Sequence, residues 1–191
     1  MVHCQKKIGL GEEYNSVNNS ASTSILRVPN SEKYYALYEG GLAYRMEEKT
    51  MNEEDFDDFG FVQKGFSTHP KIDPDNGDIF NIGFNIGTCD LYRMSKDLKL
   101  ICKNSFKTRI KQSIHDCCLA GDYFVVFECP ISMNMWKFAK GYPSLNCYAF
   151  DYQDGKTIAY IYKKDTLEFV NRIELSSPEP FMMYHFTNGY M

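Results

Sequence analysis

The chain has 191 residues, 43% of them hydrophobic and 15% aromatic, with a formal net charge of −4. That is enough apolar material for one globular core or for part of a larger one. The acidic balance and scattered basic residues argue against nucleic acid as a partner, because phosphate neutralisation by a basic stripe supplies most of that affinity.

From the N-terminus, Met1 to Lys7 is followed by no apolar run, so no secretory signal is expected. Short strands then alternate with turn signals. Ser24–Val28 ends at Pro29-Asn30-Ser31. Tyr34–Tyr38 runs into Gly40-Gly41 and is followed by Leu42–Met46, which predicts a hairpin or a bulge. The acidic stretch from Glu47 to Asp58 has no consistent apolar face and reads as a loop. Asn76-Gly77 supplies the positive φ of a tight turn before Ile79–Gly83. Cys89–Met94, Leu98–Lys103 and Phe106–Ile110 continue the series, and the basic cluster Lys103 to Lys111 reads as a solvated strand pair.

Tyr123–Phe127 is a continuous apolar run, as expected of a strand buried on both faces. Asp154-Gly155 predicts a hairpin between Cys147–Tyr152 and Thr157–Tyr162, and Leu167–Ile173 and Phe181–Phe186 complete the strands. No segment sustains a helical period, and the apolar runs are rich in Tyr, Phe, Ile and Val. The fold class is therefore all-β: a sandwich, a barrel or a propeller.

No run reaches the roughly 20 apolar residues that a membrane-spanning helix needs. Seven cysteines occur without a Cys-x-x-Cys pair, and adjacent Cys117 and Cys118 suit neither a zinc knuckle nor a mutual disulfide. Reduced, mostly buried thiols in a cytoplasmic protein are expected. The sequon Asn18-Asn19-Ser20 carries little weight without a secretion signal.

Four histidines occur: His3, His69, His115 and His185. His3 lies at the terminus. His69 precedes Pro70, which biases it toward extended backbone; His115 precedes Asp116; His185 lies between Tyr184 and Phe186. Imidazole ligates iron, zinc and copper, but separations of 46 and 70 residues are far too long for one metal loop. They fit a shared site only if separate hairpins converge on one axis.

The stretch Phe66-Ser67-Thr68-His69-Pro70-Lys71-Ile72-Asp73-Pro74-Asp75-Asn76-Gly77-Asp78-Ile79-Phe80-Asn81-Ile82-Gly83 resembles a signature of the carotenoid cleavage oxygenase family, the retinal pigment epithelial membrane protein family. Upstream, Asn19–Ser24 and Ala36-Leu37-Tyr38-Glu39-Gly40-Gly41-Leu42 are similar to its preceding strands. Downstream, Ile114-His115-Asp116 with Asp122–Phe127 resembles its second histidine motif, and Tyr184-His185-Phe186-Thr187-Asn188-Gly189-Tyr190 its third. The resemblance covers nearly all of residues 1–191, least over residues 1–15 and the acidic stretch.

The resemblance implies a seven-bladed β-propeller, of which this chain would be a partial set of blades. It also implies iron(II) held by four histidines, three of them hydrogen-bonded to glutamates. Carried over by motif, His69, His115 and His185 are metal ligands. Glu39 is the matching glutamate, expected to accept a hydrogen bond from a ligand's distal nitrogen, that of His115. No further catalytic side chain is implied. Dioxygen and a long apolar polyene would be the reactants, with peripheral contact to a membrane surface. Some relatives cleave phenolic stilbenes using a lysine beside this glutamate; Tyr38 stands there instead, which favours carotenoids or apocarotenoids.

A fourth histidine ligand and two further glutamates have no counterpart, so a truncated or incomplete member is expected. Two other classes compete with the oxygenase reading. A non-catalytic propeller module would bind protein or lipid through its open edges. A zinc hydrolase would use the same three histidines, but no His-x-His or His-Glu-x-x-His cluster supports it.

Overall fold

The structure, a computed structural model, describes residues 23–29, 31–39, 41–50, 52–63, 65–85, 87–109, 114–134, 136–137, 150–153, 155–177, 181–186 and 189. The sequon and residues 1–15 lie outside them. Strands β1 (Ser24–Arg27), β2 (Tyr34–Leu37), β3 (Ala43–Met46) and β4 (Glu53–Asp57) form one antiparallel sheet in chain order. Strands β5 (Lys71–Ile72), β6 (Ile79–Asn85), β7 (Thr88–Met94) and β8 (Leu100–Lys107) form a second. A third sheet starts with β9 (Cys117–Ala120) and β10 (Tyr123–Glu128). A two-stranded hairpin of β11 (Ile131–Met133) and β12 (Phe150–Tyr152) then intervenes, and β13 (Ile158–Lys163) and β14 (Phe169–Glu174) complete the third sheet beyond β10. Four-stranded up-and-down sheets of this kind are the blades of a propeller. Among the described residues no helix is long and apolar enough to cross a membrane.

The three sheets stack face to face, with one core in each gap. Ile79, Tyr92 and Met94 of the second sheet join Leu26, Tyr35, Leu37 and Phe66 in the first core. On the opposite face, Phe80, Ile82, Cys89 and Leu91 join Phe124, Val126, Ile158 and Tyr160 in the second. Because side chains alternate along a strand, β6 and β7 are apolar on both faces and occupy the middle layer. By contrast β10 buries Phe124 and Val126 completely, whereas Tyr123, Val125 and Phe127 are half-buried. The expectation of burial on both faces, made for Tyr123–Phe127, is therefore met only in part.

Four other expectations are corrected. Residues 53–57 form a strand rather than part of a loop. As the outer strand of its sheet, β4 pairs only with β3 among the described residues, and Asp55 and Phe56 are exposed, so no apolar face is needed; Phe56 sets its ring edge-on to Tyr44 at 4.6 Å. The two strands expected after Met94 are a single strand, β8, which begins beyond a turn with Leu98 at φ 63°. Tyr152 and Thr157 do not flank a hairpin, because β12 pairs with β11 and β13 pairs with β10; Asp154 lies outside the described residues. Phe181–Phe186 is not a strand among the described residues. Of the hairpin or bulge predicted at Gly40-Gly41, the antiparallel pairing of β2 with β3 fits a hairpin, though Gly40 lies outside the described residues; the hairpin predicted at Asn76-Gly77 does join β5 to β6, with Gly77 at φ 80°.

The second and third sheets are also tied by a buried carboxylate. Glu128 is fully buried, and it accepts hydrogen bonds from Arg109 N at 2.5 Å, Arg109 Nε at 3.2 Å and Tyr160 Oη at 2.7 Å. Burial and then this bond push the Tyr160 phenol up to about 12. The raised value means that the neutral phenol stabilises the fold fully below the unfolded value of about 10, and that this contribution is lost as pH rises through about 12. Tyr160→Phe is expected to cost about 1.5–3 kcal/mol in urea denaturation at pH 7, the range for a hydrogen bond to a charged group. Its stability should also fall less between pH 10 and 12 than that of the unsubstituted chain.

Candidate metal centre

His69 and His115 each lead into the strand at the same edge of their sheets, β5 and β9, and these two strands are neighbours. Glu39 lies in the turn between β2 and β3. The segment carrying His69 runs close beside that turn. A Cβ on Gly65 would meet the Glu39 carbonyl oxygen at 2.9 Å, so only glycine lets the two backbones approach this closely. Phe66 N then donates to the Gly41 carbonyl at 3.1 Å and Ser67 N to that of Ile82 at 2.8 Å. Ser24 Oγ donates to the Thr68 carbonyl, and Asn81 Nδ2 to that of Ser67 at 2.9 Å. Ser67 Oγ donates to the His115 carbonyl at 2.9 Å and accepts from His69 N at 3.3 Å, coupling the two histidine backbones directly.

His185 comes from the segment 181–186, which is held by side chains in the third sheet and at its strand ends. Thr157 Oγ1 donates to the Phe181 carbonyl at 2.8 Å, Met183 N donates to Cys129 Sγ at 3.2 Å, and the Phe186 ring stacks on Phe127 at 4.6 Å. The three histidines therefore meet although they lie far apart in sequence. His115 Nε2 is 2.9 Å from His69 Nε2 and 3.0 Å from His185 Nε2, and all three nitrogens lie within 4.8 Å of one another. His69 and His115 are half-buried and His185 is exposed, so the cluster is open on one side. Tyr184 covers that side in part: its ring lies over His115 at 4.1 Å and edge-on to His185 at 4.9 Å.

Glu39 Oε1 lies against His115 Nδ1 and has no other hydrogen-bond partner among the described residues. This contact requires Nδ1–H on His115 and leaves Nε2 with its lone pair aimed at the other two rings. Burial holds His69 below the usual histidine value; Asp116 opposes this, while the neighbouring imidazoles and Lys71 reinforce it. A neutral His69 likewise keeps a lone pair free.

One lone pair on His115 cannot satisfy two facing nitrogens by hydrogen bonding. A divalent cation shared by all three satisfies every one of them. Imidazole binds such cations at about 2.0–2.1 Å, so neighbouring ligand nitrogens sit about 3 Å apart, as two pairs do here. The residues present thus fit a metal ion. The adjacent thiols do not compete: Cys117 Sγ packs under the His69 carbonyl at 3.9 Å, and burial pushes that thiol far up, keeping it protonated.

Glu39→Gln keeps the shape of the side chain and removes the charge that fixes the His115 tautomer. It is expected to weaken divalent-metal binding by about 10–100-fold, the range for outer partners of a ligand imidazole. Isothermal titration with Co(II) reads this directly, and an unchanged affinity would mean that Glu39 has no such role.

Sequence reasoning named the three imidazoles and Glu39. It included Ser67 and Asn81 only as members of the first histidine motif, with no role, and gave none to Thr157 or Cys129, which also hold them. Motif membership is the signal for the first two, and the others lie in no histidine motif.

A family model described as retinal pigment epithelial membrane protein matches residues 5–191. Resveratrol cleavage oxygenase 1 of Botryotinia fuckeliana (strain B05.10) is 25% identical over 154 residues, which is 76% of this chain and 27% of that protein. Among solved structures, lignostilbene dioxygenase of Pseudomonas brassicacearum superposes with a TM-score of 0.70 at 21% identity, over 82% of this chain and 33% of that one. Cobalt-substituted apocarotenoid oxygenase of Synechocystis superposes with a TM-score of 0.67 at 22% identity, over 86% of this chain and 36% of that one. The all-β architecture thus matches part of the carotenoid oxygenase propeller, and the chain spans roughly a third of the length of these proteins.

Proposed function

The chain belongs to the retinal pigment epithelial membrane protein family of carotenoid cleavage oxygenases, and from that premise we propose that it serves iron(II)-dependent oxidative cleavage of conjugated carbon–carbon double bonds. The observation that carries this reading is the cluster of three Nε2 atoms, with His115 backed through Nδ1 by Glu39. Imidazoles suit iron as well as zinc and copper, and a set of neutral ligands leaves the charge of a bound ferrous ion uncompensated. Iron(II) held there would supply the dioxygen chemistry that splits a double bond into two carbonyl products.

The chain's own residues have narrower tasks. His69, His115 and His185 would hold the ion. Glu39 keeps the Nδ1 proton on His115, so that Nε2 remains a donor to metal. Tyr184 restricts solvent at the exposed side, and burial pushes its phenol up, so it stays neutral there. No carboxylate or thiol need act as acid or base. The substrate class is a carotenoid or apocarotenoid, because half-buried Tyr38 offers no cation to a phenol beside Glu39. The relatives named for resveratrol and lignostilbene make a stilbene the necessary comparison.

The test is anaerobic loading with iron(II), followed by ¹⁸O₂ and either an apocarotenal or resveratrol. The reading expects labelled aldehydes from the apocarotenal, lost in the His69→Ala variant. A chain that holds iron stoichiometrically through these histidines and yields no aldehyde from either compound would overturn it.

A further inference from the structure

Asp116 touches all three histidine-bearing segments. Its side chain is only 1% exposed. Oδ1 accepts from Cys117 N at 2.7 Å and pairs with Lys71 Nζ at 2.7 Å, while Oδ2 accepts from Phe186 N at 2.8 Å. Lys71 is two residues beyond His69, Asp116 directly follows His115, and Phe186 directly follows His185. We propose that Asp116 is a positioning residue that sets the mutual distances of the three imidazoles, and that its bond to the Phe186 amide places His185. This rests on reading the cluster as a metal centre, but the geometric part does not need a metal.

The physical reason is the uneven anchoring of the three histidines. His69 leads into β5 and His115 into β9, whose sheets share an apolar core, so these two are placed by strands. His185 lies on a segment with no strand among the described residues. Its nearest anchors on either side are the Met183 amide on Cys129 Sγ and the Phe186 amide on Asp116. The first is a bond to a weak sulfur acceptor, and the second is a charge-assisted bond of 2.8 Å in a dry setting. An ionised carboxylate accepts at both oxygens, whereas an amide turns a donor toward one of its partners. Asp116→Asn therefore sets an NH₂ group against either Lys71 or the Phe186 amide.

The experiment has two arms on the full chain. In the metal-free arm, amide hydrogen exchange is measured at His185 and Phe186. Asp116→Asn is expected to speed exchange there by about tenfold or more while the β6 and β7 amides stay protected. In the metal arm, Co(II) affinity is expected to fall by about 10–100-fold, with a changed cobalt absorption spectrum. In a His185→Ala background the same substitution should cost less than about threefold, because the two act through one ligand.

Unchanged exchange at Phe186 would overturn the placement of His185 by Asp116. An equal loss of affinity with and without His185 would overturn its action through that ring. If the unsubstituted chain binds no cobalt, the metal-centre reading fails, and the exchange arm alone then decides the proposal.

Discussion

Replacing His115 with alanine is expected to weaken divalent-metal binding by about 100-fold or more. Four-ligand structural sites hold zinc with about 10–16 kcal/mol, or about 3 kcal/mol per ligand, which corresponds to at least two decades of affinity. His115 should exceed that average. It is the ring within hydrogen-bond distance of both other imidazole nitrogens, at 2.9 and 3.0 Å, and the ring that Glu39 backs. Its removal deletes a ligand, leaves Glu39 Oε1 without a partner, and takes away the surface on which Tyr184 rests. His185→Ala, at the exposed side, should cost less. Co(II) titration followed by absorption gives all three constants, and an His115→Ala variant that binds like the unsubstituted chain would place the metal elsewhere.

Phe124→Ala is expected to destabilise the fold by about 3–5 kcal/mol, the range for emptying a phenylalanine site in a core. The ring is fully buried and lies 5.5 Å from Phe80, at the centre of the core shared by the second and third sheets. Against a typical total stability of about 5–15 kcal/mol, this loss is large. Those two sheets deliver His69 and His115, so loosening their packing should also lower metal affinity. Phe169, 56% exposed on β14 and edge-on to Tyr162 at 5.7 Å, is the control, and its alanine variant should cost no more than about 1.5 kcal/mol, the upper worth of such a ring pair. Urea denaturation separates the two. A Phe124→Ala cost no larger than that of Phe169→Ala would mean that the sheets are not held by this core.

Local chemistry made much of the fold legible. Asn76-Gly77 marks a turn because Gly77 takes a φ of 80° at no steric cost. The apolar run through Phe80 and Ile82 marks a strand because both faces of β6 are covered. Whatever depended on distant partners was hidden. Residues 53–57 look like a loop because an outer strand needs no apolar face, and its pairing with β3 is a tertiary fact. Tyr152 and Thr157 look like the two sides of a hairpin because nothing local reports that β12 pairs backward with β11. The same division runs through the site. The three histidines and Glu39 were legible through motif resemblance, and the structure brings them together. Asp116 stands beside His115 in the chain, but its hold on Lys71 and Phe186 spans 45 and 70 residues and leaves no local trace.

Whether His69, His115 and His185 hold one metal ion together is read by X-ray absorption at the cobalt edge of the stoichiometrically loaded chain, because imidazole rings scatter distinctively beyond the first shell of ligand atoms. Three imidazoles are expected at about 2.1 Å, with one fewer in each histidine-to-alanine variant. A spectrum with thiolate sulfur, or with oxygen alone and no imidazole scattering, would contradict this.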